Sequence, residues 1–273
     1  MRVKGAETRR QEIIDQYIGG TGKRVFLVEG EDDKNAFSEM LEKKFGNEFE
    51  NKWAVAPAGG KTLVLGILAK EPGWIGMVDR DEWAEDTINE KKAEYPNLNI
   101  LPRFCLENYL IEPVEIWGAL PEIQKNKIRG GFEQLRTEIL TDREKWVRHG
   151  VLRTIINPLW DGLIARGFQG DLLDFDNAQD DNNIKNTLRK WHDFLNPDML
   201  FQTFEEKSDM VRKKSVFEQI SLWIDGKEFF TSHVHNVLNR LLGQKSEDER
   251  KKLLFRGRTL PDDLDFLWKE FRM

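Results

Sequence analysis

Two short apolar runs, each ending in carboxylates, constrain this chain more than any other feature. Val25-Phe-Leu-Val28 reads as a strand buried on both faces, and Glu29-Gly30 ends it. Glu31, Asp32 and Asp33 open the next segment, where Ala36, Phe37, Met40 and Leu41 keep helical spacing. Further on, Trp74-Ile-Gly-Met-Val78 repeats the strand pattern and ends in Asp79-Arg80-Asp81. A carboxylate on the carboxyl end of a buried strand stands where open α/β sheets bind their ligands. If both strands run parallel in one sheet, Glu29, Asp79 and Asp81 converge at one edge, which is a magnesium site in outline. Either motif alone is equally well explained by carboxylates favouring the positive start of the following helix. Both motifs in this order, each on the tip of an apolar strand, make a stricter pattern.

The stretch between and around them completes an α/β reading. A leading helix spans Arg2 to Gly20, further strands are expected at Trp53–Ala56 and Leu98–Leu101, and helices at Leu63–Lys70 and Glu82–Glu94. Gly59-Gly60-Lys61-Thr62 resembles the end of a phosphate-binding loop, but the first glycine of the full spacing is missing. A strand-to-helix turn that needs glycine at positive φ accounts for it more simply. At the same sheet edge, Lys61 would reach a substrate phosphate, and Arg80 is a second candidate for that contact. Glu107, in Leu106-Glu-Asn-Tyr-Leu110, follows the last strand closely enough to serve as a further ligand, directly or through water. It is equally placed to cap a helix begun by Tyr109, Leu110 and Ile111.

Val28-Glu29-Gly30 followed by Asp79-Arg80-Asp81 resembles the Toprim signature of topoisomerases, bacterial primases and a group of nucleases. The resemblance covers roughly residues 20 to 120. It implies a Toprim-type, Rossmann-like parallel sheet in which Glu29 acts as general acid or base while Asp79 and Asp81, with Glu29, hold Mg²⁺, for which Mn²⁺ can substitute. Within the group the chain is similar to the overcoming-lysogenization-defect nucleases and, through Arg103-Phe-Cys-Leu-Glu-Asn-Tyr-Leu-Ile-Glu-Pro113, most similar to the nuclease subunit of the PARIS anti-phage system. That likeness implies a nucleic-acid substrate, tRNA ahead of DNA, an ABC-type or SMC-like ATPase partner, and a homodimer as the active form.

Composition narrows the alternatives. A single cysteine, Cys105, rules out a disulfide framework or a zinc site built on several thiolates, and the zinc-bearing Toprim branches with it. A net charge of −6 argues against a general nucleic-acid coat protein. No apolar run reaches transmembrane length, and Met1 to Arg10 are charged with no apolar stretch behind them, so no membrane contact or secretion signal is expected and the chain reads as cytoplasmic. From Pro113 on the spacing is helical, over Glu115–Leu120, Lys127–Leu140, Arg143–Arg166, Asn182–Leu195, Met199–Ile224 and Ser232–Leu242. The division expected is therefore a catalytic domain at 1–120 and a helical domain at 121–273, for docking or substrate contact. The aspartate-rich stretch Asp171 to Asp181 reads as an exposed loop or as a docking segment for a basic surface. His149, His192, His233 and His235 lie outside the motif-bearing half and read as structural. Two rival readings remain: an inert Toprim-like interaction subunit of an ATPase complex, and a phosphotransferase, which the incomplete phosphate loop weighs against.

Overall fold

A computed structural model describes residues 5–168, 170–174 and 176–271. The chain separates into two compact units, one made of residues 1–141 with 220–273 and the other of 142–219. Residues 121–141 and 220–273, expected in the helical half, thus belong with the sheet.

In the first unit the chain runs α1 (Ala6–Ile13), β1 (Arg24–Val28), α2 (Glu31–Phe45), α3 (Glu48–Lys52), β2 (Trp53–Pro57), α4 (Lys61–Leu68), β3 (Ile75–Val78), α5 (Glu85–Glu94) and β4 (Leu98–Ile100). The four strands form one parallel sheet in the order β2-β1-β3-β4. Alternation puts Val25 and Leu27 on one face and Phe26 on the other, and all three are fully buried. Both faces must therefore be covered, as parallel sheets require. On the first face Val25 and Leu27 join Ala56, Val64, Ile67, Val78 and Ile100 in one apolar cluster. Gly76 of β3 has no room for a Cβ, which would collide with Leu68 and Val64 of α4, so glycine there lets helix and strand pack closely.

On the second face Phe26 meets Phe37 of α2 and Phe271 edge-on, both at 5.2 Å between ring centres. Phe271 also contacts Phe45, Phe49 and Trp53. The far end of the chain thus supplies the ring at the centre of an aromatic cluster. Phe271→Ala is expected to cost about 3 kcal/mol of stability, read as a lower urea midpoint; an unchanged midpoint would remove the ring from the core.

The chain continues through a 3-10 turn (Leu106–Tyr109), α6 (Pro113–Ala119), α7 (Glu122–Lys125) and α8 (Gly131–Ile139). The helix expected from Tyr109 does not form there. Leu106 to Tyr109 make a single tight turn, and helix resumes only at Pro113. After the second unit, the first unit is completed by the end of α13 (Val216–Trp223), then α14 (Gly226–Phe229), α15 (His235–Leu242), α16 (Glu247–Gly257) and α17 (Asp265–Trp268). Helix α16 lies against α2, where Lys43 donates to the carbonyls of Phe255 and Arg258 at 3.1 and 2.6 Å.

The second unit holds α9 (Arg143–Ile164), α10 (Gly170–Leu173), α11 (Asp181–Phe194), α12 (Pro197–Arg212) and the start of α13. Helices α9 and α12 pack together, with Lys207 donating to Thr154 Oγ1 at 3.1 Å. The single helix expected over Met199–Ile224 is broken after Arg212. Ser215 Oγ accepts from the Glu218 amide while Glu218 accepts from the Ser215 amide, a reciprocal cap that starts a new helix. In the stretch 171–181, α10 and a 3-10 turn at Asn177–Gln179 take up much of what was expected to be loop; Phe175 lies outside the described residues. No helix among the described residues is long and apolar enough to cross a membrane.

Candidate functional site

Because β1 and β3 are adjacent and parallel, their acidic tips meet. The amide of Asp79 donates to Glu29 Oε1 at 2.9 Å. The Glu29 carbonyl accepts from the amides of Gly59 and Gly60, at 2.9 and 3.0 Å. Those glycines have φ of 100° and 126°, backbone that side chains rarely adopt. Their turn carries Lys61 to the same edge, where its ammonium lies 2.6 Å from Asp81 Oδ2 and 4.2 Å from the centre of the Trp83 ring. Asp81 itself has φ 50° and is fixed by its amide, which donates to the Phe104 carbonyl at 2.8 Å.

Asp79 is almost wholly buried and both its oxygens are engaged. Oδ1 accepts from the Leu106 amide at 3.2 Å, and Oδ2 lies 2.6 Å from the ammonium of Lys227. Burial pushes the Asp79 carboxyl up, and nearby Asp33 and Glu29 push it further, against the pull of Lys227. Asp33, at the start of α2, is raised mainly by burial and also by Glu107 and Glu29, although its carboxylate accepts from the Gly30 amide at 2.8 Å. Glu29 is raised chiefly by burial, which outweighs the pull of Lys61. Burial alone would lower the Lys227 ammonium, but the charge of Asp79 holds it above the ordinary lysine range. Glu29, Asp33 and Asp79 are thus all raised, chiefly by burial, at an edge they share with a fourth carboxylate.

Glu107 is the fourth, only 4 % exposed. Its Oε1 lies 3.2 Å from Lys251 of α16, and its buried Oε2 has no hydrogen-bond partner among the described residues. It does not cap a helix. What holds it in place is the buried knot around it. Asn108 accepts from the Cys105 amide at 3.0 Å and donates to the carbonyls of Ile220 and Ile224 at 2.7 and 2.9 Å. Arg103 pairs with both oxygens of Glu115 at 2.7 and 2.6 Å, meets Asp263 at 3.0 Å and lies over the Tyr109 ring. Asn108→Ala would leave an amide and two carbonyls unsatisfied in the core. A loss of about 3 kcal/mol is expected, measured by chemical denaturation; wild-type stability would show that water can replace the side chain.

Glu29, Asp79, Asp81, Glu107 and Lys61 therefore come to one edge. Arg80 does not join them: it pairs with Glu85 at 2.8 Å and lines a separate recess with Ile88, Ile100 and Phe266. Sequence reasoning missed Asp33 as distinct from its acidic neighbours, and it missed Lys227 and Lys251 altogether. Asp33 had a local signal, since it stands three residues after the N-cap Gly30 of α2, where a carboxylate reaches back to the cap amide; the lysines come from remote helices and had none.

Among the described residues no three His, Cys, Asp or Glu side chains are grouped as a ready-made metal site. The donor set nevertheless fits a hard divalent cation, because every candidate ligand is a carboxylate. Two observations support the fit. Glu107 offers a buried, unpartnered oxygen, and two ammonium groups sit 2.6 Å from Asp79 and Asp81, on oxygens that a cation would take. Lys227 is 51 % exposed along its side chain, so a cation that took its place on Asp79 would leave the ammonium in water. Compared with known protein families and with curated proteins, the chain matches none.

Proposed function

We propose that the chain is a Toprim-type, metal-dependent phosphodiesterase that cuts nucleic acid, with RNA such as tRNA favoured over DNA. The observation that carries this reading is the hydrogen bond between the Asp79 amide and Glu29, which locks two strand-end carboxylates together beside Asp33, Asp81 and Glu107. Asp79, Asp81, Glu29, Asp33 and Glu107 are the residues that would hold Mg²⁺ or Mn²⁺. A divalent cation bound there would supply positive charge opposite the charge that builds on the phosphorus centre.

The protein's own residues supply the rest. Glu29 exchanges the proton, as base toward the attacking water or as acid toward the leaving oxygen, and burial holds its carboxyl above the ordinary glutamate value. The backbone bond from Asp79 fixes which carboxylate oxygen remains for that exchange. Lys61, freed from Asp81, offers a charged donor to a substrate phosphate. The resemblance to defence nucleases extends the reading to anti-phage action in the cytoplasm under control of an ABC-type or SMC-like ATPase, with a homodimer as the active form.

The lysine pairs also support a second reading. With Lys227 on Asp79 and Lys61 on Asp81, two of the carboxylates are already paired without metal, as suits an inert subunit that only docks on an ATPase. Labelled tRNA, single-stranded DNA and duplex DNA incubated with purified protein, with and without magnesium, separate the two. Magnesium-dependent cleavage of any of them supports the enzyme; three intact substrates in magnesium and in manganese support the docking subunit.

A further inference from the structure

The second unit contains a recess distinct from the carboxylate edge. A cavity of about 610 Å³ opens beside the first turns of α9 and the end of α12, within the roughly 300–1,000 Å³ typical of small-ligand sites. Its charged lining consists of Arg143, Lys145, Arg148 and Arg212 against a single acid, Glu144. Lys145 and Arg212 are partly neutralised by Asp142 at 2.6 Å and Asp209 at 2.8 Å. The guanidinium of Arg148 lies over Phe204, 4.4 Å from the ring centre.

Two of the lining residues carry buried polar atoms without a partner among the described residues. Ser208 is 9 % exposed, and its hydroxyl has no hydrogen-bond partner among the described residues. The same is true of the buried Nε of Arg143. A buried donor left without a partner costs free energy, so a pocket with two of them favours an occupant that accepts hydrogen bonds. The start of α9 adds to this, since no side chain caps it and the carboxylate of Asp142 turns to Lys145 instead. Helix amides, a serine hydroxyl and arginine forks together are the donor set that recognises phosphate oxygens. Buried Val147 and Val151 give the recess an apolar wall as well, and the volume leaves space for more than the phosphate itself.

We propose that this recess binds a phosphate monoester, carried either by a free nucleotide or by the terminal phosphate of a nucleic-acid strand. The inference is independent of the carboxylate edge, so it is tested on full-length protein in EDTA, where no cleavage occurs. AMP is titrated by calorimetry, and a short 3′-labelled oligonucleotide with a 5′-phosphate is compared with its 5′-hydroxyl twin by fluorescence anisotropy. Binding of AMP names the free nucleotide as the source. A preference of about tenfold or more for the phosphorylated strand, without AMP binding, names the strand end. In either case Arg143→Ala with Arg148→Ala should weaken binding by about tenfold or more, and Ser208→Ala, which removes one hydroxyl alone, severalfold. Melting temperature checks that each variant is folded. No AMP binding together with equal affinity for the two oligonucleotides overturns the proposal. So does wild-type affinity in both variants at an unchanged melting temperature.

Discussion

Glu29→Gln is expected to lower nucleic-acid cleavage by on the order of a hundredfold or more, the usual scale for losing a general acid or base, while the protein stays folded. The substitution keeps the size of the side chain and an oxygen able to accept from the Asp79 amide, but it can no longer exchange a proton. The sign of the stability change follows from the direction of the shift. Burial raises the Glu29 carboxyl above its unfolded value, so its ionised form costs stability in full above the folded value, and the cost shrinks as pH falls through the folded value and is gone below the unfolded one. In metal-free buffer Glu29→Gln should therefore melt no lower than wild type at neutral or higher pH, and any advantage should shrink toward the ordinary carboxylate range. Cleavage at the wild-type rate by a folded Glu29→Gln protein would reduce Glu29 to a structural carboxylate that receives the Asp79 amide.

The parts of this site that were legible in the sequence are those whose cause is local. Glu29, Asp79 and Asp81 could be placed because each directly follows a short apolar strand, and parallel pairing of β1 with β3 then brings the tips together. Lys61 was legible for the same reason, being carried by the glycine turn after β2 that bonds back to the Glu29 carbonyl. Lys227 and Lys251 had no such signal, for they reach Asp79 and Glu107 from α14 and α16 across more than a hundred residues of chain. Only the packing of those late helices decides the pairing. Gly226 shows how tight that packing is, since a Cβ there would strike the Asn108 side chain at 2.5 Å.

The same contrast holds for the fold. The parallel sheet and its flanking helices followed from apolar runs and glycine turns, but the return of residues 220–273 to the sheet did not. Helical spacing shows that a segment has a buried face and says nothing about which partner buries it. Phe271 illustrates the point: nothing near it in sequence suggests that it packs on Phe26, Phe45, Phe49 and Trp53. The break before Ser215 was obscured because apolar spacing continues on both sides of it. The Ser-x-x-Glu capping signal at Ser215 and Glu218, repeated at Ser246 and Glu249 where α16 begins, is the local cue that apolar spacing hides.

The carboxylate edge is proposed to hold a divalent cation. Replacing Asp79 and Asp81 together with alanine removes two of the five proposed ligands and leaves Lys227 and Lys61 without acidic partners there. Cleavage should fall to background, since the ion loses both of its ligands at the tip of β3. Asp81→Asn alone is a milder case, and excess Mn²⁺ should recover part of its activity because metal concentration compensates a weakened site. The most direct measurement is calorimetric titration of Mn²⁺ into the wild type and into Asp79→Ala with Asp81→Ala, each shown to be folded by thermal melting. Saturable binding is expected of the wild type and none of the double variant. Equal binding by both proteins, or no binding by the folded wild type, would contradict the proposed site.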